Sequence, residues 1–395
     1  MPTLSDVKEV LSKYLYLSNT GVIDTVLGAV IANQIPGPPI CLYLVGPPGS
    51  GKTEILNGLE GYYRTYHPSK ITPQTLLSGY IARGDKRKPA DQSEKSLLVK
   101  LCAQGKNILV LKDFTTVLVM PSEARNNLIG QFREIADGRY TANYGTGEEV
   151  CWQGKMAFIA AVTNAIDEIG AVSSVLGERF LTFRMRGENL TDVYNRVVGA
   201  TENLSRYHDE FRQVVSDFML RFDIGCDVVP ISPEVMDRLP HLAAFVAHAR
   251  TGVSRTYRDE IVTPPEREGF GRISRQLQIF GSGVALAQDK TVIDMEVYRL
   301  IKKVARDTIP PWRHLLLRHV ATHPEGLNTK ELETAMDLPR STLQRHLQDL
   351  TMAGVIFGLN QVIPGKHGLT KFLYLSVEVR EHVEKSGVFI YDYVE

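Results

Sequence analysis

Short apolar runs alternate with helix-length segments through the first half of the chain. Four of these runs are continuous and lack the 3.6-residue period of an amphipathic helix, which is typical of strands buried on both faces. The predicted strands are residues 40–45, 107–111, 157–162 and 180–185, and the predicted helices between them are residues 52–63, 93–103 and 123–136. Alternation of this kind predicts an α/β fold in which helices cover both faces of a parallel sheet.

Helical periodicity dominates the regions on either side of this alternation. Residues 4–34 predict two short helices, and the Pro- and Gly-rich stretch 34–39 ends them. From residue 189 to residue 307 the strand signal fades and apolar positions recur at helical spacing, so a second, helical domain is expected. The pair Pro310-Pro311 marks a further boundary, because proline ends or breaks a helix.

Composition and charge narrow the class of protein. The chain has 395 residues, 43% of them apolar and 23% charged, which is typical of a globular protein of two or three domains. Lys+Arg and Asp+Glu both number 45, so any nucleic-acid binding must come from local basic patches. The four cysteines lie far apart, which argues against a disulfide framework or a zinc site. Because no apolar run suits a signal peptide or a membrane span, we expect a cytoplasmic protein without a membrane partner.

A glycine-rich loop follows the first predicted strand and precedes a predicted helix. Its pattern is Gly-x-x-x-x-Gly-Lys-Thr, whose backbone N–H groups surround phosphate oxygens while the lysine reaches the β- and γ-phosphates. The residues of the loop are Gly46, Pro47, Pro48, Gly49, Ser50, Gly51, Lys52 and Thr53. The alternative is a turn that only caps a helix. The motif predicts binding of a nucleoside triphosphate, ATP with Mg²⁺, although the loop alone does not separate ATPases from GTPases or kinases.

A second part of the nucleotide-binding site is predicted where a four-residue apolar run ends at Lys112-Asp113. A carboxylate at the end of such a strand supports Mg²⁺, so Thr53 and Asp113 are the predicted metal ligands. The usual ending has two acidic residues, whereas here only Asp113 is acidic. The base that polarises the attacking water therefore stays open, with Glu123 and Glu134 as candidates. An ordinary solvated aspartate is the alternative for Asp113.

Three polar residues farther along the chain have both a functional and an ordinary interpretation. Asn164 follows the third strand, where asparagine is commonly a turn residue. Arg179 directly precedes the fourth strand and is a candidate to reach the γ-phosphate of a neighbouring subunit, or to form a surface salt bridge with Glu178 or another acid. Arg275 opens a helix of the helical domain and either folds over the nucleotide or is solvated.

The order of these motifs resembles the AAA+ ATPases across residues 20–307. The resemblance implies an αβα core with a five-stranded sheet, a helical lid and assembly as a ring, often a hexamer. It assigns Lys52 and Thr53 to Walker A, Asp113 to Walker B and Asn164 to sensor 1. It assigns Arg179 to the arginine finger and Arg275 to sensor 2.

A finer resemblance lies in residues 132–155, directly before the sensor strand. Residues 140–143 and 150–152 flank a turn-rich stretch that contains Gly145-Thr146-Gly147 and predict a hairpin. This arrangement resembles the pre-sensor-1 hairpin of minichromosome-maintenance helicases and bacterial enhancer-binding activators. The resemblance implies that Arg139 and Lys155 line a pore and contact DNA. Tyr80-Ile81 lies where AAA+ translocases carry a pore loop, with a solvated basic loop as the alternative.

Residues 312–376 fit a winged helix-turn-helix. The predicted helices are residues 312–323, 329–336 and 340–352, and the predicted wing strands are residues 357–363 and 371–375. In such folds the third helix enters the major groove. The predicted DNA contacts are Arg340, Ser341, Thr342, Gln344, Arg345 and, from the wing, Lys366 with His367. Because some winged helices bind only protein, a protein-docking role is the alternative.

Together these motifs predict five segments and one main function. The segments are an N-terminal helical segment (1–39), an AAA+ ATPase core (40–188), a helical lid (189–309), the winged helix-turn-helix (310–380) and a tail (381–395). The predicted function is an ATP-hydrolysing ring that acts on DNA as a helicase, translocase or replication initiator. The alternatives are an ATP-dependent assembly switch, such as a transcription or transposition regulator or a helicase loader, and a protein-remodelling ATPase.

Overall fold

The computed structural model describes residues 1–76, 96–143, 149–167, 179–187, 190–222, 225–256, 258–362 and 368–390. Within these ranges the chain has a mixed α/β fold with a parallel sheet. It divides into two compact units, one formed by Met1–Pro230 and Ile279–Val292 and the other by Ile231–Gln278 and Ile293–Glu395.

The first unit contains the parallel sheet and most of the helices predicted around it. Its strands are β1 (Cys41–Val45), β2 (Thr65–Tyr66), β3 (Ile108–Leu111), β4 (Arg139–Asn143), β5 (Glu149–Gln153), β6 (Ala157–Val162) and β7 (Phe180–Arg184). Its helices are α1 (Leu4–Ser12), α2 (Gly21–Ala32), α3 (Lys52–Asn57), α4 (Pro73–Leu76), α5 (Leu97–Ala103), α6 (Thr115–Leu118), α7 (Ser122–Ala136), α8 (Leu190–Ala200) and α9 (Leu204–Met219).

The five strands of the main sheet run in the order β2-β3-β6-β1-β7, and every neighbouring pair is parallel. All residues of β1, β3 and β6 are buried, which explains why their sequences are continuous apolar runs. The four predicted strands are confirmed to within a residue at each end. Strand β2 was not predicted, because two residues are too few to produce a recognisable pattern.

Aromatic rings connect the sheet to the helices that cover it. Tyr43 on β1 stacks on Phe180 of β7, with ring centroids 4.1 Å apart. Phe132 of α7 meets Phe158 of β6 edge to face at 4.7 Å. The first contact packs two neighbouring strands together, and the second holds α7 against the sheet.

The helix after the glycine-rich loop is shorter than predicted. The prediction extended to residue 63, but α3 ends at Asn57 and a 3₁₀ turn, Gly58–Gly61, follows. A Cβ atom at Gly58 would lie 2.3 Å from the ring of Phe211 on α9. Glycine therefore lets α9 approach this turn closely, a requirement that helical periodicity does not reveal.

The predicted hairpin before the sensor strand is confirmed as the antiparallel pair β4-β5. Arg139 pairs with Gln153 at the open end, and Asn143 pairs with Glu149 next to the turn. Val150 and Trp152 are buried, while the intervening residues are exposed. One face of the hairpin therefore packs on the core and the other faces solvent. Residues 144–148, which include Gly145-Thr146-Gly147, lie outside the described part of the chain.

The second unit begins with helices and ends with a small mixed domain. Its elements are α10 (Pro233–Arg250), α11 (Gly271–Ala287, which continues into the first unit), α12 (Met295–Asp307), α13 (Pro311–Ala321), β8 (Leu327–Asn328), α14 (Thr329–Met336), α15 (Arg340–Met352), β9 (Ile356–Val362), β10 (Leu369–Leu375) and α16 (Val377–Ser386). Strands β8, β10 and β9 form an antiparallel sheet in that order. Among the described residues, no helix combines the length and apolar character needed to cross a membrane.

Candidate functional site

The glycine-rich loop follows the carboxyl end of β1, which is an inner strand of the parallel sheet. Gly49 and Gly51 have φ angles of 79° and 81°, in the left-handed region that other residues rarely adopt. A Cβ atom at Gly46 would lie 2.9 Å from the Ser50 hydroxyl oxygen and 3.1 Å from Met185. The loop conformation therefore requires glycine at these places, which is the property that a phosphate-binding loop needs.

Lys52 is folded into this loop. Its Nζ donates hydrogen bonds to the carbonyl oxygens of Gly46 (2.8 Å) and Pro47 (2.7 Å) and to the Ser50 hydroxyl (3.1 Å). The residue is 8% exposed, and burial lowers the pKa of its ammonium group, while the carboxylate of Asp113 opposes that shift. The ammonium therefore lies within the loop. Thr53, the next residue, is exposed.

Asp113 follows β3 and is exposed, two strand positions from β1. Its Oδ1 accepts a hydrogen bond from the N–H of Thr115 (3.0 Å). Neighbouring strands lie roughly 4.8 Å apart, so the ends of β3 and β1 are about 10 Å apart along the sheet edge. That spacing suits a carboxylate that reaches a metal through water.

Lys112, which directly precedes Asp113, is paired with an acid of its own chain. Its ammonium forms an ion pair with the carboxylate of Glu60, in the turn after α3. The sequence did not indicate this partner, since the two residues are 52 positions apart. The end of β3 therefore offers the single carboxylate of Asp113.

Asn164 opens the 3₁₀ turn Asn164–Asp167 directly after β6 and is exposed. Strand β6 lies between β3 and β1, so the ends that carry Asp113, Asn164 and the glycine-rich loop follow one another along one edge of the sheet. In open parallel sheets, ligands bind at this carboxyl edge. The structure thus brings Lys52, Asp113 and Asn164 to the same edge.

Arg179 is buried, with 6% exposure, and it is tied to its own chain. Its Nε and one terminal nitrogen donate to the two carboxylate oxygens of Asp137, at 3.0 Å and 2.6 Å. Asp137 follows the end of α7, so Arg179 pairs with an acid other than Glu178, which is one of the partners that its ordinary interpretation allowed. In this structure the predicted finger residue is engaged within the subunit, and its suggested partner Glu178 lies outside the described residues.

Removing the Asp137 carboxylate should destabilise the first unit, because the guanidinium of Arg179 would stay buried without its charged partner. For Asp137→Asn we expect the free energy of unfolding to fall by about 1.5–3 kcal/mol, measured by chemical denaturation. Asp167→Asn is the matched control. It removes an equally bidentate partner of Arg184, whose side chain is 22% exposed, so a loss below about 1 kcal/mol is expected. Equal losses in the two variants would contradict the role given to burial.

The remaining predicted residues are scattered. Arg275 is exposed on α11, in the part that belongs to the second unit. Arg139 is exposed at the open end of the β4-β5 hairpin, away from its turn. Lys155 donates a hydrogen bond to the Ile35 carbonyl oxygen (2.6 Å), and burial lowers the pKa of its ammonium to about 8. Lys155 therefore does not project from the hairpin here. The predicted residues Tyr80-Ile81, Lys366 and His367 lie outside the described part of the chain.

The end of the second unit has the geometry of a winged helix-turn-helix. Helix α14 begins with a capping box of Asn328 and Glu331 and ends at Asp337, whose φ of 50° produces the turn into α15. The predicted bounds of α14 and α15 are confirmed. The wing strands β9 and β10 each begin one or two residues earlier than predicted.

Helix α15 has one buried and one solvent-facing side. Leu343, Leu347 and Leu350 are buried. Of the five predicted DNA contacts on this helix, Thr342 is partly exposed and the other four are exposed, namely Arg340, Ser341, Gln344 and Arg345. Arg345 forms an ion pair with Asp259 (3.2 Å) in which both side chains are more than half exposed. Such a pair is weak and is easily exchanged for another anion.

A buried charged cluster holds α15 in place. Asp349 accepts hydrogen bonds from the guanidinium of Arg255 at 2.5 Å and from that of Arg313 at 3.2 Å. Arg313 also donates to the carbonyl oxygen of Thr251 at 2.5 Å. All three charged side chains are at most 11% exposed. Arg313 and Asp349 are 36 residues apart in the chain, so no local pattern in the sequence relates them.

Comparison with known protein families agrees with this geometry. Residues 315–356 match the family model of the IclR helix-turn-helix domain, from within α13 to the first residue of β9. The comparison with curated proteins found no match. The second unit therefore contains an IclR-type helix-turn-helix domain, a DNA-binding type of domain, at residues 315–356.

Proposed function

We propose that this protein is an ATPase that acts on DNA as an oligomer, in the manner of a helicase, translocase or replication initiator. The observation that carries the proposal is the glycine-rich loop at the carboxyl edge of β1, with Lys52 folded inside it. Asp113 and Asn164 follow the neighbouring strands. The IclR-type helix-turn-helix at residues 315–356 supports DNA as the partner.

The loop residues fit a triphosphate. The three oxygens that hold Lys52 are weak partners for an ammonium compared with phosphate oxygens, so a bound triphosphate would draw Nζ toward its β- and γ-phosphates. The exposed hydroxyl of Thr53 and the exposed carboxylate of Asp113 are oxygen donors, which suit Mg²⁺. The ion would neutralise charge on the phosphates, while Asn164 would orient the attacking water.

Hydrolysis by this site would depend on one strand-end carboxylate. Lys112 occupies the adjacent position and is paired with Glu60, so a second carboxylate is not supplied there. The base would then come from another element, and Glu123 and Glu134 on α7 remain the candidates. This feature supports an alternative function, an ATP-dependent assembly switch in which binding matters more than turnover.

The DNA-binding face is expected to be the exposed side of α15. Arg345→Ala should lower affinity for duplex DNA by about 5- to 150-fold and reduce the salt dependence of binding, because an arginine at this place contacts bases or phosphates. Fluorescence anisotropy at several salt concentrations measures both effects. Lys385→Ala, which removes an exposed cation from α16 in the same unit, is the control and should leave affinity unchanged. If both variants bind DNA like the parent, α15 is not the contact.

ATP turnover measured with and without single- and double-stranded DNA, together with strand displacement, separates the two functions. DNA-stimulated turnover with displacement supports the motor. ATP-dependent oligomerisation without DNA-stimulated turnover supports the assembly switch. Turnover that no DNA alters and an oligomeric state that ATP does not change would contradict both.

A further inference from the structure

Two helices of the second unit, α10 and α16, bring three metal-ligating side chains together. His248 lies near the end of α10, and Glu378 and His382 are one turn apart on α16. One ligand atom from each side chain lies within 4.8 Å of the other two. We propose that His248, Glu378 and His382 bind a divalent transition-metal ion, and that Zn²⁺ fits this donor set of two imidazoles and one carboxylate best.

His248 is the most deeply buried of the three. It is 7% exposed, and its Nδ1 is buried without a hydrogen-bond partner among the described residues. Its Nε2 lies 3.9 Å from the Glu378 carboxylate. A buried polar atom without a partner is unfavourable, so packing alone does not explain an imidazole at this place. Coordination of an ion would give this imidazole a polar partner that the packing does not supply.

Neighbouring groups hold the candidate ligands in orientation. The Nδ1 atoms of His241 and His382 are 3.0 Å apart, so one ring hydrogen-bonds the other and leaves Nε2 of His382 for an ion. Arg267 donates to one oxygen of Glu378 (2.8 Å) and is itself fixed by the Ala353 carbonyl oxygen (2.9 Å). In metal sites, hydrogen bonds from outer groups orient the ligands, and these contacts would do so here.

The site is open on one side, because Glu378 is 54% exposed. An ion can therefore enter from solvent and complete its coordination with water. Helix α16 begins two residues after the wing strand β10 ends, so an ion here would join α10 to the element that directly follows the wing. Its expected effect is to stabilise the second unit, independently of any nucleotide bound by the first.

Isothermal titration of the untagged, EDTA-treated full-length protein with ZnCl₂ tests the site. We expect one ion per chain, and an increase in Tm of about 5 °C or more when free Zn²⁺ exceeds Kd 100-fold. Titration with Co²⁺ should add visible absorption, which reports the ligand geometry directly.

Variants connect binding to the named residues. Glu378→Gln and His382→Gln each change an accessible side chain and should lower Zn²⁺ affinity at least about 10-fold, while His241→Phe, which keeps a ring, should lower it about 10-fold. Circular dichroism establishes that each variant is folded. The control is His323→Gln, in the same unit but outside the cluster, and it should bind like the parent.

Two results would overturn the proposal. One is a Glu378→Gln/His382→Gln double variant that still binds one Zn²⁺ with parental affinity. The other is a parent protein whose Tm does not change between EDTA and saturating Zn²⁺.

Discussion

Replacement of Lys52 by alanine is expected to lower the affinity for Mg·ATP about 100-fold and to abolish ATP turnover. Nζ is held inside the loop by Gly46, Pro47 and Ser50, where phosphate oxygens would meet it. A hydrogen bond to a charged group contributes about 1.5–3 kcal/mol, and losing one of this size corresponds to the expected change in affinity. Titration with a fluorescent ATP analogue, followed by a phosphate-release assay, measures both quantities.

The matched control is Lys100→Ala, which removes an exposed ammonium from α5 in the same unit. It should leave affinity and turnover unchanged. Thermal unfolding of Lys52→Ala establishes that the variant is folded before its affinity is interpreted. Parental ATP affinity in a folded Lys52→Ala protein would show that the loop does not bind the triphosphate through this lysine.

The largest stability effect is expected for Asp349→Asn in the second unit. This change leaves the guanidinium groups of Arg255 and Arg313 buried side by side without their shared carboxylate. Breaking a buried ion pair by removing one partner costs about 3–5 kcal/mol, and we expect a loss of that size in the free energy of unfolding. The contact between Arg313 and Asp349 also fixes α15 relative to α13.

Denaturation can be followed in this unit alone. The chain has two tryptophans, so a Trp152→Phe background leaves Trp312, at the start of α13, as the fluorescent reporter. The control is Asp259→Asn, which changes an exposed acid near the same Arg255 (3.6 Å) and should cost less than about 1 kcal/mol. Comparable losses for the two aspartates would mean that burial does not govern the cluster's contribution.

The pairing of Arg179 with Asp137 bears on assembly. An arginine finger acts across a subunit interface, whereas this guanidinium is buried in a bidentate pair within its own chain. If Arg179 acts on a neighbour's γ-phosphate, ring formation has to break that pair. Asp137→Asn would then raise ATP turnover per subunit in the assembled protein even though it destabilises the fold.

Local patterns in the sequence predicted most elements, for identifiable physical reasons. β1, β3 and β6 are buried on both faces, so their residues form uninterrupted apolar runs that indicate parallel strands. Apolar periodicity predicted the bounds of α14 and α15 to the residue, with Leu343, Leu347 and Leu350 on the inner face of α15. The glycine-rich loop was recognised because its conformation depends on glycine at fixed positions, which is a local requirement.

Ion pairs between residues that are far apart in the chain were established only by the tertiary structure. Lys112 with Glu60, Arg179 with Asp137 and the sharing of Asp349 by two arginines join residues that no local pattern relates. The same holds for His248 and His382, which are far apart in the chain and form a candidate metal site only in the folded protein. The spacing of the cysteines had argued against a zinc site. The sequence by itself thus determined the loop, the strand ends and helix α15, because backbone conformation and apolar periodicity depend on residues that are close together in the chain. Charge pairing and burial depend on which helices pack together, and only the folded chain establishes that.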